Sequence, residues 1–186
     1  MTKIRDSLWG ANERKRKGDW IFVCCLSVLI AIVIVITYFS TFVMLSIKIV
    51  GSSMYPTLES DDIVLANTKV VPKVGDVIVI DGESSSGYII KRVIAVEGQT
   101  VSILDGKVYV DGQVLNEEYA NGNTSDYGGT WVNRTLGEGE IFYLGDNRGD
   151  SKDSRFSDYD TCTFEQVVGV VPEWSIALRK LTTFIL

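Results

Sequence analysis

The feature that most constrains this sequence is an uncharged, apolar segment near its N-terminus. No charged residue occurs in residues 20–47, and residues 21–43 consist mainly of Ile, Val, Leu and Phe. About 20 apolar residues in a helix cross roughly 30 Å of hydrocarbon, whereas a cleaved secretory signal has an apolar region of only about 7–15 residues. We therefore expect a permanent transmembrane anchor over residues 20–47, between a basic tail of residues 1–19 and a domain of residues 48–186.

Charges are distributed unequally on the two sides of this segment. Residues 1–19 hold six basic and three acidic residues, and the rest of the chain holds 12 basic and 21 acidic residues. Because basic residues remain on the cytoplasmic side of a span, we expect a single-pass plasma-membrane protein with a cytoplasmic N-terminus and an extracytoplasmic domain. The acidic domain also argues against nucleic acid as a partner.

Beyond residue 50 the sequence changes to short runs rich in β-branched residues. These runs predict strands at residues 63–65, 77–80, 88–90, 92–96, 101–103, 107–110, 141–144 and 167–171. No later segment has helical periodicity over three turns, and residues 116–139, which include Trp131, are expected to form an exposed excursion. The prediction is a mostly β domain of antiparallel sheets, with one N-terminal transmembrane helix.

The sequence contains no histidine. A Ser-His-Asp triad, a Cys-His dyad and the usual zinc sites all need imidazole, so nucleophilic catalysis near neutral pH would require another base. We expect no metal and no cofactor. Cys24 and Cys25 lie in the apolar segment, and Cys162 is alone in the domain, which must therefore be held together by its core and not by a disulfide framework.

Three segments hold candidate catalytic residues. Gly51 and Pro56 constrain the backbone around Ser53 in a way that suits an oxyanion hole, although an ordinary serine-rich turn would look the same. Lys91 and Arg92 are adjacent in a predicted strand, so their side chains point to opposite faces and one of them is expected to face the interior.

A buried lysine has a lowered pKa, as a general base requires, whereas a solvated lysine on an edge strand does not. The third segment, residues 145–155, combines turn formers with two arginines, three aspartates and two serines. It could form a hydrogen-bonded scaffold for the site, or a surface loop with weak ion pairs.

Taken in order, these segments resemble the type I signal peptidases of the bacterial Ser/Lys kind, over residues 20–172. The matching motifs are Ser-Met-x-Pro-Thr-Leu at 53–58, Gly-Asp-hydrophobic at 75–79, Lys-Arg at 91–92, Asp-Gly-x-Val-Tyr-Val-Asp-Gly at 105–112, and Gly-Asp-Asn-Arg-x-x-Ser-x-Asp-Ser-Arg at 145–155. The absence of histidine favours this kind over the ER-type enzymes, which use histidine.

The resemblance implies that Ser53 is the nucleophile and Lys91 the general base. It implies supporting roles for Ser151, which would hydrogen-bond and orient Lys91, for the ion pair of Asp153 with Arg155, and for Arg92. It also implies that shallow pockets for small side chains, as in Ala-x-Ala, are lined by Ile49, Met54, Leu58 and Ile90.

Two positions depart from the pattern. Some members have a serine two positions before the nucleophile that contributes to the oxyanion hole. Gly51 stands there, so a second donor beside the Ser53 amide would have to be backbone or water. After Arg155, Phe156 is retained but the usual glycine is missing from residues 157–160, which leaves the local turn open.

The expected function is that of a membrane-bound serine endopeptidase that removes signal peptides from secreted preproteins through an acyl-enzyme. Its expected partners are signal peptides and membrane lipid, with the translocation machinery as a further candidate. One alternative is a Ser/Lys processing peptidase dedicated to one substrate class, such as a pilin or a conjugation protein. Another is an inactive anchored binding module. Self-cleaving repressors share the chemistry but would need a DNA-binding domain.

Overall fold

The computed structural model describes residues 2–82, 87–129 and 131–182. It divides the chain into two compact units, Met1–Val43 and Met44–Leu186. The first unit is a single helix, α1 (Thr2–Phe42). Its stretch Asp19–Phe39 has 21 residues and a mean hydropathy of 3.0, and among the described residues it is the one helix long and apolar enough to cross a membrane. The predicted N-terminal apolar helix is confirmed, and it is consistent with membrane anchoring.

The apolar segment contains a strand as well as a helix. Residues 44–47 were predicted to continue the span, but they belong to β1 (Met44–Lys48), which pairs antiparallel with β2 (Ile63–Asn67). Ile47 is buried between the exposed Ser46 and Lys48, as the alternation of a strand requires. Hydropathy alone does not separate the end of an apolar helix from a half-buried strand that follows it directly.

The second unit consists mainly of antiparallel strands, which confirms the predicted fold class. After β1 and β2 come β3 (Val77–Asp81), β4 (Tyr88–Val96), β5 (Thr100–Leu104), β6 (Lys107–Val110), β7 (Gln113–Val114), β8 (Arg134–Thr135), β9 (Glu140–Leu144), β10 (Cys162–Thr163) and β11 (Val167–Val171). Seven of them form one sheet in the order β1-β2-β11-β3-β4-β9-β10, and four form a second in the order β7-β6-β5-β8.

The second sheet is built around two tight turns. Asp105-Gly106 joins β5 to β6, and Asp111-Gly112 joins β6 to β7. Both residues of each turn have positive φ, between 51° and 77°. This backbone geometry matches the right-handed twist of the flanking strands and favours Asp-Gly.

Strand β4 is the longest strand and positions the catalytic candidates. The two predicted strands at 88–90 and 92–96 are one continuous strand that runs through Lys91 and Arg92. Residues 88–92 of β4 pair with β3, whereas β9 pairs only with residues of β4 from Arg92 onward. Residues 88–91 therefore keep one edge free of β9, and the side chains of Lys91 and Arg92 lie on opposite faces.

The excursion predicted at 116–139 is only partly exposed. Trp131 has 1% of its surface accessible and packs on Phe142, with ring centroids 4.1 Å apart. Its indole N–H donates to the Ser154 carbonyl at 2.8 Å. The prediction of an exposed Trp131 was wrong because the polar residues around it make the segment look like a loop, while the indole itself fills the core.

A short second helix was also missed. Helix α2 (Glu173–Thr182) begins directly after β11 and Pro172. Ser175 is buried, and its hydroxyl accepts a hydrogen bond from the Leu65 amide of β2 at 2.8 Å. Ten residues are too few to show apolar periodicity over three turns, so the sequence pattern carried no clear helical signal.

Candidate active site

The structure brings two predicted catalytic residues into contact. Ser53 lies in the turn region that follows β1, and Lys91 lies within β4. Lys91 Nζ donates a hydrogen bond to Ser53 Oγ at 2.7 Å, although the two residues are 38 positions apart. A hydroxyl and an amine at this separation have the geometry of a nucleophile and its base.

Lys91 occupies a buried environment. Its side chain is 5% exposed, and Nζ makes a second hydrogen bond to the Ile90 carbonyl at 3.1 Å. Burial lowers the pKa of the ammonium from 10.5 to about 8, against the opposing effect of the carboxylates of Asp153 and Asp146. Because desolvation disfavours the charged form, a substantial fraction of the amine is neutral in mildly alkaline solution.

The loop after β9 holds the backbone around Ser53. The Asn147 amide donates to the Ser53 carbonyl at 3.0 Å, and the Asn147 side-chain amide donates to the Ser52 carbonyl at 3.1 Å. The Ser52 hydroxyl donates to the Asp150 carboxylate. Asn147 and Asp150 were not predicted as site residues. Both belong to the motif at 145–155, but nothing in the sequence indicates which distant backbone groups they bind.

Arg92 reaches the opposite face of β4 and is paired. Its guanidinium donates twice to Asp146, at 2.8 and 2.7 Å, and once to the Gly75 carbonyl at 2.8 Å. Asp146 also accepts from the Thr57 hydroxyl at 2.5 Å. Asp146 thus ties β4 to the segment that carries Ser53, a linking role that sequence reasoning missed.

Asp153 and Arg155 form an ion pair with both side chains fully buried. Arg155 Nε lies 2.7 Å from Asp153 Oδ1, and the Arg155 guanidinium also donates to the Arg148 carbonyl at 2.9 Å. The second Asp153 oxygen accepts from the Gly145 amide at 3.0 Å. These bonds satisfy both charges and fix the start and end of the loop at 145–155.

Ser151 does not make the predicted bond to Lys91. Its hydroxyl is buried and has no hydrogen-bond partner among the described residues. The hydroxyl packs against Gly145, where an added Cβ would lie 2.2 Å from Ser151 Oγ and 2.5 Å from the Ser53 carbonyl. Ser151 is therefore close to the backbone of the nucleophile, while the hydrogen bonds of Lys91 go to Ser53 and Ile90.

A groove of about 530 Å³ runs beside the Ser53–Lys91 pair, and we call it the β1–β4 groove. It is lined by Ser46–Val50, Ser53, Met54 and Tyr88–Lys91. Three predicted pocket residues, Ile49, Met54 and Ile90, line it. Leu58 does not, because its side chain is 0% exposed and packs in the core below, which corrects the prediction for this residue.

The groove lies between two strand edges with open hydrogen-bonding groups. β1 is the terminal strand of its sheet, and residues 88–91 of β4 have no partner in β9. Open strand edges can pair with an extended peptide through backbone hydrogen bonds. The arrangement therefore suits an extended polypeptide whose side chains meet shallow apolar walls.

The segment after Arg155 closes its turn without the usual glycine. The Tyr159 and Asp160 amides both donate to the Phe156 carbonyl at 2.9 Å. Asp160 adopts a positive φ of 36°, so an aspartate takes a conformation often left to glycine.

Cys162 is buried, and burial raises the pKa of its thiol to about 12, so it remains a protonated core residue. Among residues 2–82, 87–129 and 131–182 no cluster of His, Cys, Asp or Glu could hold a metal ion.

The chain matches known proteins over most of its length. The family described as "Signal peptidase, peptidase S26" matches residues 19–179. The chain is 32% identical to signal peptidase I T of Bacillus subtilis over 173 residues, which cover 83% of this chain and 85% of the relative. It is 29% identical to signal peptidase I of Bacillus licheniformis over 155 residues, covering 77% and 81% of the two chains.

A crystal structure of a signal peptidase I from Enterococcus faecalis V583 is 31% identical and covers 54% of this chain and 97% of that chain, with a TM-score of 0.46. The family match extends over most of the chain, including the apolar helix and the strands that carry the candidate site. The chain therefore belongs to the signal peptidase family, peptidase S26, and is an enzyme of the signal peptidase I kind.

Proposed function

We propose that this protein removes signal peptides from preproteins with Ser53 as nucleophile and Lys91 as general base. The observation that carries the proposal is the 2.7 Å contact between Lys91 Nζ and Ser53 Oγ, in a site where the lysine is 5% exposed. When the amine is neutral, the same separation lets Nζ accept the hydroxyl proton. Ser53 Oγ then attacks the carbonyl carbon of the scissile bond.

The reaction proceeds through an acyl-enzyme. Attack forms a tetrahedral intermediate, whose oxyanion is stabilised by the Ser53 amide, a donor with no acceptor in the described part of the chain. Protonated Lys91 gives its proton to the departing amine, the scissile C–N bond breaks, and the new N-terminus leaves. Neutral Lys91 then takes a proton from water, and the resulting hydroxide attacks the acyl carbon. The ester bond to Ser53 Oγ breaks, protonated Lys91 returns its proton to that oxygen, and the signal peptide leaves as a carboxylic acid.

The β1–β4 groove is the proposed binding site for the residues before the cleaved bond. The peptide lies extended between the open edges of β1 and β4, which supply backbone hydrogen bonds. Ile49, Met54 and Ile90 supply apolar walls of this groove, and in this proposal they accept the small side chains of a small-x-small sequence.

The proposed enzyme is anchored in the membrane next to the place where its substrate emerges. The apolar stretch of α1 ends at Phe39, and β1 begins at Met44, so the chain enters the catalytic unit shortly after the proposed span. With the basic residues 1–19 in the cytoplasm, the catalytic unit lies outside, where signal peptides emerge during translocation.

The test uses the full chain purified in detergent and a secreted preprotein as substrate. We expect Ser53→Ala and Lys91→Ala each to abolish cleavage and to leave the thermal unfolding transition of the catalytic unit in place. The matched control is Lys107→Ala, which removes an exposed lysine at the start of β6 and should cleave normally. Cleavage retained by either catalytic variant would contradict the assignment.

A further inference from the structure

A second cavity is also lined by the Ser53–Lys91 pair. Its volume is about 460 Å³. It shares only Val50, Ser53, Ile89 and Lys91 with the groove, and apart from Gly51 and Ser52 its remaining lining residues come from position 127 and from 149–159. The reacting atoms therefore lie at the junction of two cavities, and a peptide can extend from them in both directions.

The second cavity has an aromatic wall formed by Tyr127 and Phe156. Their ring centroids are 4.6 Å apart, and the ring planes are inclined by 24°. Tyr127 is 52% exposed and lines the cavity together with Phe156, and the Arg155 guanidinium carbon lies 5.2 Å from the centroid of its ring. A stacked aromatic pair exposed beside a reacting centre is a surface on which an apolar side chain can be buried.

The direction of the substrate follows from the chemistry at Ser53. Once the residues before the cleaved bond occupy the β1–β4 groove, the departing amine and the residues after it must lie on the other side of the carbonyl carbon. Because Ser53 and Lys91 also line the second cavity, it is the space that we assign to these residues. The inference rests on the proposed function, since it needs the acyl part of the substrate in the groove.

We infer that Tyr127 and Phe156 form a specificity subsite that binds an apolar side chain among the first three residues of the released mature protein. The cavity that contains this subsite adjoins another cavity. The second cavity shares Ile89, Lys152 and Tyr159 with a third cavity of about 460 Å³, so an extended chain can continue away from the pair.

The experiment measures kcat/KM of the detergent-purified full chain on quenched peptides with an identical Ala-x-Ala acyl side. The first three residues after the cleaved bond are glycine, and each is replaced in turn by phenylalanine. We expect phenylalanine at one of these positions to raise kcat/KM at least about tenfold, the range of a modest apolar contact. In the double variant Tyr127→Ala, Phe156→Ala this advantage should fall to less than about twofold.

Two controls separate a subsite from a general loss of structure. Trp174→Ala removes an exposed aromatic residue from α2 that lines none of these cavities and should keep the preference. A methyl ester that ends at the cleavage point has no residues for the subsite, because its leaving group is methanol. The wild type and the double variant should hydrolyse this ester equally.

The outcomes are distinguishable. Equal cleavage of all peptides by the wild type, or a phenylalanine preference retained in the double variant, would overturn the subsite and leave the proposed function intact. Slower ester hydrolysis by the double variant would assign the two aromatic residues a structural role instead. If the wild type cleaved no peptide and no ester, the proposed function itself would fail, and the subsite with it.

Discussion

Lowering the pH should protonate Lys91 and remove the proposed base. With a pKa of about 8, the amine is neutral in half of the molecules at pH 8. The neutral fraction is about one tenth at pH 7 and about one hundredth at pH 6. The value of kcat/KM should therefore fall about 50-fold between pH 8 and pH 6, and it should level off above about pH 9.

The burial of Lys91 determines the pH at which kcat/KM reaches its plateau. A solvated lysine with a pKa of about 10.4 would be neutral in only about 0.4% of molecules at pH 8, roughly 100-fold fewer than the buried lysine. Its rate would also continue to rise tenfold per pH unit up to about pH 10. The position of the plateau thus measures desolvation of the amine directly.

The assay is cleavage of a quenched Ala-x-Ala peptide by the detergent-purified full chain, in buffers of constant ionic strength from pH 5 to pH 10. Circular dichroism at each pH shows that the folded fraction is unchanged. A flat rate from pH 8 to pH 6 would refute a lysine base, and a rate that still rises through pH 10 would refute the buried environment of Lys91.

Stability gives an independent measurement of the same shift. The folded-state pKa of Lys91 is lowered from 10.5 to about 8, so the unfolded chain binds more protons between these values. Lys91 should therefore contribute a rise in the free energy of unfolding with pH, of up to about 3 kcal/mol over that window. Burial raises the pKa values of Cys162, Tyr119 and Tyr143, and these groups lower the free energy of unfolding as the pH rises above about 9. The Lys91 contribution should therefore be measured as the difference between the wild type and Lys91→Met between pH 8 and pH 10.

Two further substitutions test the packing around the site. Gly145→Ala would place a methyl group 2.2 Å from Ser151 Oγ. Because the loop must then shift, we expect kcat to fall about 100-fold. The control is Gly137→Ala, whose methyl group would lie 3.5 Å from its nearest neighbour, and this variant should cleave peptides normally. Equal kcat for the two variants would contradict the argument. Trp131→Ala removes a buried indole packed on Phe142 and should lower the free energy of unfolding by about 3–5 kcal/mol. A decrease of less than about 1 kcal/mol would contradict a role for Trp131 in the core.

The sequence alone was sufficient for features that depend on neighbouring residues. Hydropathy identified the apolar helix, and β-branched runs identified the main strands, because both depend on periodicities of a few residues. The Asp-Gly pairs at 105–106 and 111–112 located two tight turns through their backbone preference. The absence of histidine by itself restricted the catalytic chemistry to bases other than imidazole.

Only the tertiary structure decided which distant groups meet. The environment of Lys91 is created by segments far away in the chain, so neither its burial nor its contact with Ser53 can be read from local pattern. The same reason explains the errors. Trp131 was predicted to be exposed from its polar neighbours, and Leu58 was assigned to a pocket from its position in a motif, yet packing places both in the core. Periodicity specifies which face of a strand is apolar, whereas the partners on that face are determined by the folding of the whole chain.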